Sequence, residues 1–105
     1  MFRPACPAAD LWIGEMRPLQ IEGRPVVLIN HAGQVSAYLD RCAHQGFPIS
    51  QGRLVGPVLT CAAHEWQYDA RTGCGINPKN VALTRLAVEI RGDQIWIDVD
   101  GRQQG

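Results

Sequence analysis

Two short segments near the middle of the chain, Cys42-Ala43-His44 and Cys61-Ala62-Ala63-His64, each offer one thiolate and one imidazole. Two loops carrying such a donor set can clamp one metal centre from opposite sides, which ties distant parts of the chain together. The ligand types alternate, Cys then His in both loops. A [2Fe–2S] cluster with two sulfur ligands on one iron and two nitrogen ligands on the other suits that alternation, because each loop can span both irons. A structural Cys₂His₂ zinc site uses the same donors but usually pairs Cys with Cys and His with His. The spacing favours the cluster, with zinc as the rival.

The remaining composition narrows the classes. The 105 residues are 46% hydrophobic, the size and apolar content of one domain, residues 1–105, with a modest core. Ten acidic and ten basic side chains cancel, leaving no basic stripe for nucleic acid. Apolar runs such as Val26-Val27-Leu28-Ile29 are too short to span a bilayer, and the N-terminus lacks a long apolar core. A cytoplasmic protein with no membrane segment is expected. Two of the four cysteines belong to His-containing motifs, which fits a reducing compartment better than a disulfide scaffold.

Short alternating segments separated by turn signals, with almost no helical period, predict an all-β fold of small antiparallel sheets. Leu11-Trp12-Ile13 opens the domain. Val26 to Ile29 is apolar enough for a central strand buried on both faces. A turn at Asn30-His31-Ala32-Gly33 leads to Val35, Ala37 and Leu39 on one face with Ser36 and Tyr38 on the other, a first hairpin that delivers the chain to Cys42. A second hairpin pairs Leu86, Val88 and Ile90 with Ile95, Ile97 and Val99 across Arg91-Gly92-Asp93. Together they predict a base sandwich. Residues of about 40 to 80 carry most of the Gly and Pro and form a loop-rich subdomain. Within it Val58-Leu59-Thr60 and Trp66-Gln67-Tyr68 read as short strands flanking the second ligand pair, so the ligands lie at hairpin tips.

From Cys42 to Pro78 the chain resembles the cluster-binding subdomain of Rieske ferredoxins. Gly46 follows the first ligand His by two residues, Tyr68-Asp69-Ala70-Arg71-Thr72-Gly73 is similar to the strand and turn after the second pair, and Asn77-Pro78 resembles the loop that covers the cluster. More narrowly, Leu11-Trp12-Ile13-Gly14-Glu15-Met16 and Gly75-Ile76-Asn77-Pro78 are similar to segments of the ferredoxin components of toluene and related aromatic diiron monooxygenases. The resemblance implies the Rieske fold and one Rieske [2Fe–2S] cluster. Cys42 and Cys61 would bind the inner iron, and His44 and His64 the outer iron, facing solvent. It also implies an electron carrier, not an enzyme. The carrier would take single electrons from an NADH-dependent flavin and iron–sulfur reductase and deliver them to an oxygenase hydroxylase component.

Respiratory Rieske proteins have further cysteines at the positions of Phe47 and Ala63 and a serine at that of Trp66, whereas Tyr68 matches their tyrosine. The loss of those groups argues for the lower end of the range of about −150 to +300 mV known for such centres. Trp66 either shields the cluster, offers a docking surface or simply packs. Gln45 and Glu65 directly follow the ligand histidines and form a rim that a partner could meet, or are solvated loop side chains. Arg41, Arg53 and Arg71 with Asp40 and Asp69 leave the tip mixed in sign. Cys74 is expected to be a nearby non-ligand thiol and Cys6 incidental, while Trp12 and Trp96 are expected to pack on strands. A plant-type all-cysteine cluster lacks its close run of cysteines. Competing functions are the ferredoxin of a ring-hydroxylating dioxygenase, a non-redox zinc-binding module and a nitrite reductase small subunit. A monomer is the default.

Overall fold

The computed structural model describes residues 1–43, 46–62 and 65–103, with side chains up to residue 100. Ten strands in two antiparallel sheets build it: β1 (Arg3–Pro7), β2 (Met16–Ile21), β3 (Arg24–His31), β4 (Gln34–Leu39), β5 (Arg53–Val55), β6 (Val58–Thr60), β7 (Gln67–Asp69), β8 (Gly75–Asn77), β9 (Arg85–Arg91) and β10 (Gln94–Gln103). Short 3₁₀ turns occupy Ala8–Asp10 and Ile49–Gln51. Among the described residues no helix is long and apolar enough to cross a membrane.

The base is one six-stranded sheet in the order β1-β10-β9-β4-β3-β2. Its outermost strands β1 and β2 come into contact with each other, so the expected sandwich is realised as a single rolled sheet. Two tight hairpins set its register. β2 and β3 join through Glu22-Gly23, and β3 and β4 through Ala32-Gly33. All four turn residues have positive φ, from +52° to +89°. Tight turns between right-twisted strands need that left-handed pair, and the second residue of each is glycine. The third hairpin, β9–β10, turns at Gly92-Asp93.

The strand at Val26–Ile29 is central and wholly buried, as its run of apolar residues predicts. Its period of two divides it between two cores. Val26 and Leu28 face inside the rolled sheet with Cys6, Leu11, Ile21, Ala37, Leu86, Ile95, Ile97 and Val99. Val27 and Ile29 face outward and meet Tyr38, Cys42, Ile49, Leu59, Cys61, Tyr68, Ala70 and Leu83. The second sheet, in the order β5-β6-β7-β8, lies over that outer face. The two sheets are also tied by a buried hydrogen bond, in which Tyr38 Oη donates to the Ala70 carbonyl at 2.8 Å. Ser36 and Tyr38, on the opposite face from Ala37, are therefore buried as well.

Three expectations are corrected. Leu11-Trp12-Ile13 forms no strand: Leu11 is buried, but Trp12 is 74% and Ile13 73% exposed, so Trp12 packs on no strand. The chain begins earlier, with β1, whose Cys6 is a core residue. The first ligand segment is no hairpin tip, because β4 belongs to the base sheet and β5 to the second one. It is the crossing from one sheet to the other.

Candidate metal centre

Cys42 and Cys61 lie in the same buried cluster beneath the second sheet, both almost completely hidden from solvent. Cys42 enters its loop three residues after the end of β4 in the base sheet, and Cys61 directly after β6. The two loops share one hydrogen-bond frame. In the first, the Cys42 N–H donates to the Phe47 carbonyl at 2.7 Å and the Gly46 N–H to the Cys42 carbonyl at 3.1 Å. In the second, the Cys61 N–H donates to the Trp66 carbonyl at 2.8 Å and the Glu65 N–H to the Cys61 carbonyl at 3.0 Å. Each is thus a closed six-residue loop beginning at its cysteine, with a left-handed fifth residue, Gly46 (φ +69°) or Glu65 (φ +57°). His44, Gln45 and His64 lie outside the described residues.

Side chains of the surrounding strands hold this frame. Asp40, buried two residues before Cys42, accepts the Ser50 N–H at 2.8 Å on Oδ1 and the Ser50 hydroxyl at 2.6 Å on Oδ2. Its own N–H donates to the Pro25 carbonyl. Asp40 therefore pins the entry of the first loop to the 3₁₀ turn at its exit, and is a structural clamp rather than one of the charges of the tip. Sequence reading missed this, since an Asp–Ser pair ten residues apart becomes adjacent only when the intervening loop closes. At the exit of that turn, Gly52 passes against the Thr60 backbone so closely that a Cβ would collide with the Thr60 carbonyl. That approach sets β5 beside the strand that leads into Cys61.

Tyr68, on β7, points its phenol at the first loop. Tyr68 Oη accepts the Ala43 N–H at 3.2 Å and lies 3.2 Å from Cys42 Sγ. Burial first, and then the hydrogen bond with Cys42, push the phenol well above its ordinary pKa. It stays protonated, so toward a Cys42 thiolate it is the donor. Trp66 is half-buried and packs against the same core. Phe47, the last residue of the first loop, is exposed. Pro78 is half-buried after β8 and follows a cis peptide bond. Cys74 is an exposed free thiol and His31 ends β3. On the rim, Arg53 lies 3.8 Å from Glu65, and Arg71 pairs with Asp69 at 2.9 Å.

These residues fit an iron–sulfur centre. Two buried thiols on matching closed loops, with a neutral phenol donating toward one of them, would supply the sulfur side of a mixed-ligand cluster and stabilise thiolate charge where water is excluded. A closed frame of backbone hydrogen bonds also pre-organises the loops, and buried side chains hold their bases.

The chain belongs to the Rieske [2Fe–2S] domain family, which it matches over residues 1–88. It is a Rieske ferredoxin, an electron carrier that binds one Rieske-type cluster and converts no substrate itself. It is 38% identical to the ferredoxin component of the alkene monooxygenase system of Xanthobacter autotrophicus, over 90% of this chain and 79% of that one. It is 31% identical to the ferredoxin component of biphenyl 2,3-dioxygenase of Rhodococcus jostii, over 91% of both chains. A chain in the solved complex of reduced oxygenase and oxidised ferredoxin of carbazole 1,9a-dioxygenase has the same fold, with a TM-score of 0.88 at 24% identity, covering 99% of this chain and 97% of that one. The zinc-module reading of the Cys/His pairs gives way to this family membership.

Proposed function

We propose that Cys42 and Cys61 ligate the inner iron and His44 and His64 the outer iron of the Rieske cluster, and that the protein passes single electrons from an NADH-dependent flavin and iron–sulfur reductase to the hydroxylase of a multicomponent diiron monooxygenase of the toluene type. The observation that carries the ligand assignment is the shared frame of the two loops, each opening on a buried cysteine of one core. The cluster supplies one-electron exchange. This chain's residues hold the thiolates in a dry pocket, keep the Tyr68 proton directed at Cys42, and present the histidine ends of both loops to partners.

The monooxygenase partner is favoured by the 38% identity with an alkene monooxygenase ferredoxin, and the dioxygenase reading is kept alive by the 31% identity with a biphenyl dioxygenase ferredoxin. Gln45, Gly46, Glu65, Trp66 and Pro78 belong to the cover and rim of the cluster in this reading. The protein is a cytoplasmic monomer forming one domain over residues 1–105, with a midpoint in the lower part of the Rieske range.

An EPR-monitored redox titration of the purified protein near neutral pH tests the assignment. A rhombic mixed-ligand signal with a midpoint below zero is expected, lost in His64→Ala and kept in Cys74→Ser. Loss of the signal in the Cys74 variant overturns the ligand set. Turnover reconstituted with a monooxygenase and with a dioxygenase hydroxylase, each with its reductase, then decides the partner: product formation with the dioxygenase alone sinks the monooxygenase reading.

A further inference from the structure

Three non-glycine residues among the described ones have left-handed backbone: Glu22, Ala32 and Glu65. Glu22 and Ala32 each precede a glycine in a two-residue hairpin turn, where the geometry of the turn demands positive φ. Glu65 lies in no such turn. It stands at the fifth position of the second ligand loop, the place that Gly46 fills in the first. The frame needs a left-handed residue there. Glycine meets that need without steric cost, whereas any side chain brings its Cβ against the backbone.

Inside the molecule the glutamate recovers little of that cost. Its side chain is 78% exposed, and its ion-pair partner Arg53, at 3.8 Å, is 65% exposed. Exposed pairs of that kind contribute little to stability. Backbone strain kept without an internal return marks a functional constraint. In sequence Glu65 directly follows His64, and it lines an open cleft of about 450 Å³ together with Gln51, Arg53, Thr60, Cys61 and Ala62.

We infer that Glu65 is a docking residue of the electron-exchange face, a carboxylate held out beside the second ligand pair to receive an arginine or lysine side chain of the redox partner, which replaces Arg53. The hydrogen bond from the Glu65 N–H to the Cys61 carbonyl fixes the glutamate backbone within the second loop, and the cleft leaves room for the incoming cation. The inference rests on the assignment of Cys61 and His64 as cluster ligands.

Small redox probes of opposite charge test it without a choice of partner. The reduced wild type, Glu65→Gln and Glu65→Gly are reoxidised by hexaamminecobalt(III), a trication, and by tris(oxalato)cobaltate(III), a trianion, in stopped flow. At about 0.01 M ionic strength, a trivalent probe about 10 Å from the lost carboxylate should react about fourfold more slowly if cationic and about fourfold faster if anionic, in both variants. Both differences should shrink toward 1 M salt. Glu65→Gly alone should also melt about 4 °C higher, the relieved strain less the extra freedom glycine gives the unfolded chain. Equal rates for wild type and Glu65→Gln with both probes overturn the docking role. A glycine variant no more stable than the glutamine variant overturns the strain argument behind it. A wild type without the mixed-ligand EPR signal overturns the ligand assignment, and this inference falls with it.

Discussion

The two cores on either side of β3 are built by different means. The one inside the rolled sheet is closed by aliphatic side chains on long, paired strands, with Leu28, Leu86, Ile95 and Ile97 completely buried and hairpins of two residues fixing the register. The outer one is roofed by strands of three residues and by loops, and it includes two tyrosines and two thiols. Its order comes from single polar contacts: Asp40 with Ser50, Tyr38 with the Ala70 carbonyl, Tyr68 with Cys42 and Ala43. Aliphatic packing tolerates shifts of a few tenths of an ångström, whereas a hydrogen bond of fixed direction does not. The base therefore supplies stability and the outer half supplies position, which the proposed centre, with four ligands on two loops, would require.

That division is open to test. The largest effect is expected from Cys61→Ala, which should abolish the cluster and its colour. Amide hydrogen exchange in β6 and β7 should then accelerate far more than in β3 and β9, and collapse of both halves together would break the comparison. Next, Leu28→Ala should destabilise the chain by about 2–5 kcal/mol, the usual range for a buried leucine, while the EPR line shape of the folded fraction stays unchanged. A changed line shape would mean that the base also sets the ligands. Tyr68→Phe should act in the opposite sense, retaining the fold but removing one donor from Cys42. A hydrogen bond of ~1 kcal/mol acting on a one-electron couple corresponds to ~40 mV, so the midpoint should fall by about that amount, and an unchanged midpoint would remove Tyr68 from the tuning of the centre.

The smallest effect is one of pH. The Arg71 hydrogen bond holds the Asp69 carboxyl below its ordinary pKa. A depressed carboxyl pKa contributes stability that is present above the unfolded value and is lost as the pH falls through the folded one. Arg71→Ala should therefore cost a little stability at neutral pH, and its denaturation midpoint should converge with that of the wild type in acid. A gap that persists in acid would assign Arg71 a packing role instead.

What could be read from the sequence follows the same boundary. β3, β4, β9 and β10 were legible because alternation and apolar runs report burial directly, and the chain supplies turn residues between them. β1 and β2 were not. Each contains proline, Pro4 and Pro7 in one and Pro18 in the other, and neither alternates cleanly. Both lie at the edges of the base sheet, where a residue without an N–H costs no ladder bond. The segment around Trp12 misled for the converse reason, since its apolar residues look like a strand but two of them face solvent.

By itself, then, the sequence determined the chemistry of the centre and the existence of its scaffold, because ligand identity and hydrophobic period are local properties of the chain. The tertiary structure decided the rest: that one rolled sheet replaces a sandwich, that Asp40 is a buried clamp, and that the Tyr68 phenol addresses Cys42. It also decided that Glu65 occupies the left-handed place where its twin loop uses glycine. Each of those depends on groups far apart in the chain meeting at hydrogen-bond or van der Waals distance, and only the closed fold sets such distances.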